Sequence, residues 1–233
     1  MNGITYNLKH SYNDFSLILN SKKIGTPSKK KIKTDIPGMN GVYDFSTVAS
    51  SGEIVYTQRP LELNFTLMSY SKTGLHSALT RVIEWLQDAP QGPLIFDDIA
   101  YYYFMAEVED GPQINEEHNI AEISVKFIAE PFKTSLAYVG NDLWDTFNFE
   151  EDVMQADEFD VVGTKTVSLY NPGRLITPLI NCSTAMSIVF GGKTYPLIAG
   201  DNTPFGMKLL NGPNSLVING SGTLSVLFRK VVL

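Results

Sequence analysis

Two stretches of strict alternation frame this chain. Leu61, Leu63, Phe65 and Leu67 are interleaved with Glu62, Asn64 and Thr66, and Ala121, Ile123, Val125 and Phe127 with Glu122, Ser124 and Lys126. A period of two sends alternate side chains to opposite faces, so both stretches predict strands with one buried and one wet face. Between them the period changes. Leu75, Leu79, Val82, Ile83 and Leu86 recur at helical spacing and predict one helix from about Lys72 to Gln87, with a single apolar stripe. Ser71 or Thr73 is placed to cap its start, and Pro90 lies just past its end. Trp85 flanks the stripe, and His76 in the first turn reads as surface.

Shorter runs complete the first half. Ile4, Tyr6 and Leu8 alternate as a strand, and Leu17-Ile18-Leu19 is a second apolar stretch. Pro37-Gly38-Met39-Asn40-Gly41 reads as a turn, because Pro37 presets φ and the glycines permit positive φ. Gln91-Gly92-Pro93 turns the chain into Leu94-Ile95-Phe96, and Asp97-Asp98 turns it again into an aromatic strand, Tyr101 to Ala106. That strand is expected to pair with residues 120–128. The connection from Glu109 to Glu117 is long and acidic for a hairpin, a setting in which loops often carry contacts. Pro131 has no N–H to donate and is expected to end the ladder. A domain boundary follows at Lys133.

The second half predicts an all-β domain. Thr146-Phe147-Asn148-Phe149, Thr166 to Leu169, Met186 to Phe190 and Thr223 to Arg229 read as strands. Clusters at Asn171-Pro172-Gly173, Gly191-Gly192, Gly200-Asp201-Asn202, Asn211-Gly212-Pro213-Asn214 and Asn219-Gly220-Ser221-Gly222 read as the turns between them. Short strands punctuated in this way predict an antiparallel sandwich.

Composition narrows the class. At 233 residues, 43% hydrophobic and 18% charged, the chain suits one large or two modest globular domains. No apolar run approaches the ~20 residues of a membrane span. A strand starting at residue 3 leaves no room for a cleavable leader, so Sec export is not expected. The single Cys182 excludes an intrachain disulfide and reads as a small buried apolar residue; a reducing cytoplasm is the expected folding compartment. The net charge of −7 is uneven: residues 1–60 hold eight of the 18 Lys/Arg and four of the 25 Asp/Glu. Lys29-Lys30-Lys31 and Lys33 lack the interleaved aromatics of a nucleic-acid surface. They read as a solvated loop, or as one of two oppositely charged faces that orient neighbouring copies.

Groups able to converge on chemistry are scarce. His10, His76 and His118 stand in separate contexts with no zinc spacing. There is no Gly-x-Ser-x-Gly elbow, and Gly191-Gly192-Lys193-Thr194 is only a fragment of a phosphate loop. Asp97-Asp98 and Glu150-Glu151-Asp152 are adjacent acids, whereas glycosidase carboxylates must face each other across a cleft. No catalytic, cofactor-binding or metal residue is assigned.

Several of these features fall in a recognisable order. Gly3, Ile4 and Tyr6 precede His10-Ser11 with Asp14-Phe15, and then Pro37-Gly38 with Gly41. This order resembles the N-terminal domain of the distal tail proteins of long-tailed bacteriophages, and the resemblance runs on through the helix, Asp98 with Tyr101-Tyr102, and Pro131-Phe132. Asn7-Leu8 and Ser16 stand where that family frequently has glycine, and Met39-Asn40 replaces a more usual Arg-Asp pair. Asn171-x-Gly173, Pro178, Ile180, Leu209 to Gly212, Asn214 and Gly220-x-Gly222 resemble its galectin-like C-terminal domain. The galectin sugar motif, His-x-Asn-x-Arg with a stacking Trp, is absent; Trp144 reads as packing.

The resemblance implies a mainly β fold with one helix. Residues 1–133 would form a β-sandwich-like ring domain carrying the helix, and 134–233 a galectin-like antiparallel β-sandwich. It implies a structural protein rather than an enzyme: a ring, generally of six copies, at the virion tail tip, assembled in the host cytoplasm. The expected partners are copies of itself, the tail tube and tape-measure proteins on one side, and baseplate, tail-associated lysin or receptor-binding proteins on the other. Neither a membrane nor a specific nucleic-acid sequence is expected as a partner. The alternative is a carbohydrate-binding accessory module for cell-wall attachment; a wall hydrolase ranks third.

Overall fold

A computed structural model describes residues 2–48, 53–99, 101–140 and 153–233. Trp144, the expected strand Thr146–Phe149 and the acids Glu150-Glu151-Asp152 lie outside the described residues. The chain divides into two compact units, Met1–Lys133 and Thr134–Leu233. Both are built on antiparallel strands, so the fold is mainly β.

The first unit opens with β1 (Ile4–Tyr6) and β2 (Lys9–His10), then a short helix α1 (Ser11–Phe15) and β3 (Ile18–Ile24). An outlying ribbon of β4 (Lys33–Asp35) and β5 (Val42–Asp44) follows, and the chain returns in β6 (Arg59–Met68). Next come α2 (Lys72–Gln87), β7 (Gly92–Phe96), a 3₁₀ turn at Asp97–Ile99, β8 (Tyr102–Val108), β9 (Gln113–Glu117) and β10 (Ile120–Tyr138). The sheet runs β2-β1-β7-β8-β10-β6-β3, with β9 also on β10. It curls until its β3 edge approaches the end of β7: the Lys22 ammonium of β3 pairs with Asp98, just after β7.

The two alternating stretches form the centre of this sheet as β6 and β10, paired from Met68↔Ile120 to Arg59↔Ala129. Their apolar rows, Leu61 to Leu67 and Ala121 to Phe127, are buried on the side that α2 covers with Leu75, Leu79, Val82 and Leu86. Ser71 caps α2, its Oγ accepting from Gly74 N at 3.1 Å. Trp85 is buried with that stripe, and its Nε1 donates to Tyr6 O at 2.9 Å.

Four expectations change here. Leu8 is not in a strand: Asn7 (φ 48°) and Leu8 (φ 62°) form the two-residue turn between β1 and β2, a conformation that favours glycine. Residues 11–15 form a helical turn that apolar period could not reveal. His10 Nδ1 accepts from Tyr12 N and Asn13 N, and Asp14 reaches back to His10 N at 2.6 Å, a reciprocal cap. Ser16, at φ 58°, ends it. Residues 113–117 are not loop but strand β9, paired with Ile120–Ser124 across a tight turn at His118 (φ 54°). Finally, pairing with β6 stops at Ala129, but β10 continues through Pro131. The proline carbonyl accepts from the Arg59 guanidinium at 2.9 Å, and the strand runs on to Tyr138.

The second unit takes up the chain with the end of β10. β11 (Glu158–Asn171), β12 (Leu179–Cys182), β13 (Met186–Phe190), β14 (Lys193–Leu197), β15 (Gly200–Asn202), β16 (Gly212–Leu227) and β17 (Arg229–Val232) follow. β16 is the spine. It pairs with β11 over fourteen residues, and with β13 and β12 on its other side. Leu169, Ile180, Ile188, Leu209, Leu216, Ile218, Leu224 and Val226 fill the core. β17 meets the last part of β10, where Lys230 N donates to Ser135 Oγ at 2.9 Å.

Of the clusters expected as turns, 219–222 runs within β16, 212–214 forms its start after Asn211, and 200–202 is strand β15. Gly220 and Gly222 serve close approach instead. A Cβ on Gly220 would lie 2.7 Å from Met186 Cγ, and one on Gly222 2.4 Å from Ser183 Oγ. Asn171-Pro172-Gly173 and Gly191-Gly192 do turn the chain, the latter with φ of 58° and 75° between β13 and β14.

Candidate assembly surface

Residues 26–48 and 53–58 depart from the sheet of the first unit beside Pro60, where Tyr56 also meets Phe132 edge-on at 5.6 Å. Ile24 of β3 pairs with Leu61 of β6, and Gly25 N donates to Pro60 O at 2.9 Å. Beyond that junction the two legs run together as an arm. Thr57 N donates to Ser28 O at 2.8 Å, Lys30 N to Val55 O at 2.8 Å, and Phe45 N to Ile32 O at 2.8 Å. Further out, β4 and β5 pair as Lys33↔Asp44, Thr34↔Tyr43 and Asp35↔Val42. At the tip Ile36 O accepts from Met39 N at 3.1 Å, with Gly38 at φ 86°. This is a type II turn with Pro37 in second place.

Period two makes the arm two-faced. Ile32, Thr34 and Ile36 share one face with Tyr43 and Phe45 across the ribbon, and the two rings lie 4.5 Å apart. Lys31, Lys33, Asp35 and Asp44 occupy the other, with Val42 opposite Asp35. Hydrogen bonds from Ser46, and beyond them the charges of Lys33 and Lys31, hold the Asp44 carboxyl below its usual range. The apolar face has no cover: Ile32, Ile36, Tyr43 and Phe45 are each 39–49% exposed. A lone two-stranded ribbon is marginal in water, and contiguous exposed apolar surface marks a contact site. The sequence reading found the turn and the lysines but missed this face. Its signal was present in Ile32-x-Thr34-x-Ile36 and Tyr43-x-Phe45, masked by the lysines around it.

The polar residues singled out from sequence are placed in local scaffolding. His10 Nε2 lies 3.1 Å from Asp97 Oδ2, which also accepts from Gly3 N at 2.7 Å. With Nδ1 accepting two backbone N–H groups, Nε2 is the protonated nitrogen. Asp98 is taken by Lys22. His76 faces Glu116 at 3.8 Å, and His118 occupies the β9–β10 turn. The Gly191-Gly192-Lys193-Thr194 run leads into strand β14, not a helix. Among the described residues no group of three or more His, Cys, Asp or Glu is arranged to hold a metal ion, and no helix is long and apolar enough to cross a membrane.

Cys182 is buried in β12, and burial pushes its thiol pKa up. Thiolate is the reacting form, so native protein near neutral pH is expected to resist alkylation. Labelling by iodoacetamide should appear only as urea unfolds the second unit; rapid labelling without denaturant would contradict this placement.

Comparison with known proteins decides the family. The model of the phage tail protein RIFT-related domain matches residues 6–129, more than half of the chain. The chain belongs to this phage tail protein family. The match spans the curled sheet, α2 and the arm. Among solved structures, the phage tail chain is similar to Dit (gp 19.1) of SPP1, described as a paradigm of the hub adsorption apparatus in phages infecting Gram-positive bacteria. The TM-score is 0.69 at 14% identity, with 100% of each chain covered. At that identity the likeness establishes a shared fold along both units. A search of curated proteins finds no match.

Proposed function

We propose that the chain is a distal tail protein, a structural piece of the phage tail tip that closes with copies of itself into a ring of six. In this reading unit 1–133 builds the ring, and unit 134–233 is the galectin-like module at its periphery. The ring joins the tail tube and tape-measure protein to the baseplate, tail-associated lysin or receptor-binding proteins. It is made in the host cytoplasm and resides in the virion tail tip. Its work is geometric: no catalytic side chain takes part.

The observation that carries this reading is the amphipathic arm. Within a phage tail family, an apolar ribbon face that its own chain leaves bare calls for another protein surface. A surface supplied by the next copy closes a ring when the contact is head-to-tail and the rotation returns to its start. The full-length likeness to a hub protein supports the placement at the tail tip. Native mass spectrometry with negative-stain imaging tests it. The expected species is a ring of roughly six times the 25.8 kDa chain mass. A chain that stays single at every concentration, also beside tail tube protein, would overturn the reading. Such a monomer binding cell-wall polysaccharide would instead point to the carbohydrate module.

A further inference from the structure

A second exposed apolar patch lies at the far end of the same sheet. Met68 pairs with Ile120 at the last register position of β6 and β10. They are 55% and 43% exposed, and Tyr70 beside them is fully exposed. Asn119, in the β9–β10 turn, donates to Tyr70 O at 3.5 Å and ties the tyrosine segment to that turn. The rim is acidic. Residues 107–122 carry Glu107, Glu109, Asp110, Glu116, Glu117 and Glu122 with no lysine or arginine. Glu117 pairs across to Ile120 itself, and Glu122 is the next outward position along β10.

The arm is the complement of this patch. It offers an apolar face, Ile32, Ile36, Tyr43 and Phe45, on an arm that also carries the positive charge of Lys29, Lys30, Lys31 and Lys33. Among the described residues none of these lysines makes an ion pair with the acids of 107–122 in its own chain. Nor does the fold bring them together. The arm roots at Pro60, beside Ile128, whereas the patch lies at Met68 and Ile120, eight residues or about 27 Å along the strand. Two unlike, mutually complementary patches at opposite ends of one sheet make a self-contact heterologous rather than two-fold. Opposite charge also fixes its direction.

We propose that the arm of one copy lays its apolar face on the Met68–Tyr70–Ile120 patch of the next copy, with the positive charge of Lys29, Lys30, Lys31 and Lys33 drawn to Glu117 and Glu122. The inference rests on self-assembly and names the contact that carries it.

Charge reversal on the full chain tests it by sizing and native mass. K29E/K30E/K31E and E117K/E122K are each expected to raise the concentration needed for assembly by about tenfold or more. Mixing the two variant proteins should restore mixed assemblies, since each supplies the charge the other's partner surface now needs. Proximity is read separately with Tyr43→Cys and Tyr70→Cys chains. Mixed and oxidised, they should give a cross-linked pair that neither gives alone, because Cys182 is buried. Wild-type rings with both reversals assembling normally, or with no cross-link, would overturn this contact and leave the ring standing. A wild-type chain that never associates would overturn both.

Discussion

Replacing Trp85 by alanine is expected to destabilise the first unit by about 3–5 kcal/mol, the range for a buried aromatic cut to a methyl group. The reason is position. Trp85 stacks on Phe15 with centroids 4.5 Å apart and meets Tyr6 edge-on at 6.3 Å, while Tyr6 meets Phe127 at 5.2 Å. One indole therefore joins α2 to α1, β1 and, through Tyr6, β10. Its Nε1 also satisfies Tyr6 O, a strand carbonyl. Trp85→Phe isolates that bond: it keeps most of the packing and should cost about 1–3 kcal/mol for the carbonyl left without its donor. Hydrogen exchange resolved by peptide is the measurement, because it reads the units separately. Protection should fall in β6, β10 and α2 and hold in β16. Equal loss in both units, or none in the first, would contradict the assignment.

Asn171→Ala should be comparably severe in the second unit, about 3 kcal/mol. Asn171 has no exposed surface. Its Oδ1 accepts from Gly173 N at 2.9 Å, and its Nδ2 donates to Arg174 O at 2.8 Å and Leu209 O at 3.3 Å. One amide thus holds the turn after β11 and fastens it to Leu209. Alanine takes the acceptor from Gly173 N and a donor from each of the two carbonyls, of which Leu209 O keeps Ile176 N at 3.2 Å; an orphaned buried group costs about 1–3 kcal/mol before relaxation. Asn171→Asp keeps the acceptor but turns a carboxylate toward two carbonyls, so it should be no milder. The readout is the urea midpoint for Cys182 alkylation, expected to drop in both variants. An unchanged midpoint would mean that the turn does not depend on this side chain.

Where the chain repeats a period over many residues, the sequence was legible. β6, β10 and α2 have one apolar row each, and those rows meet in one core. Elements set by single residues were not. α1 exists because His10 and Asp14 cap five residues, too few to display a stripe. β9 carries charges and Asn where apolar alternation would announce a strand, and it is fixed by its turn and its partner. β16 was cut into pieces because glycine reads as punctuation, whereas Gly220 and Gly222 make room for Met186 and Ser183. The non-glycine residues noted at habitual glycine sites, Asn7, Leu8 and Ser16, all adopt positive φ. The backbone demand persists there although the side chain has changed. The candidate surface was half legible: its turn and charges stood out, while its apolar face needed the register of β4 against β5.

The junction at Gly25 and Pro60 has an evolutionary consequence. Because β3 and β6 are already in register where the chain departs, the outer ribbon beyond that root adds no strand to the sheet of the first unit. Length and chemistry there can drift at little risk, while the core residues of the sheet stay bound to one another's shapes. A lineage can thereby retune how it grips its neighbours without rebuilding the body that grips.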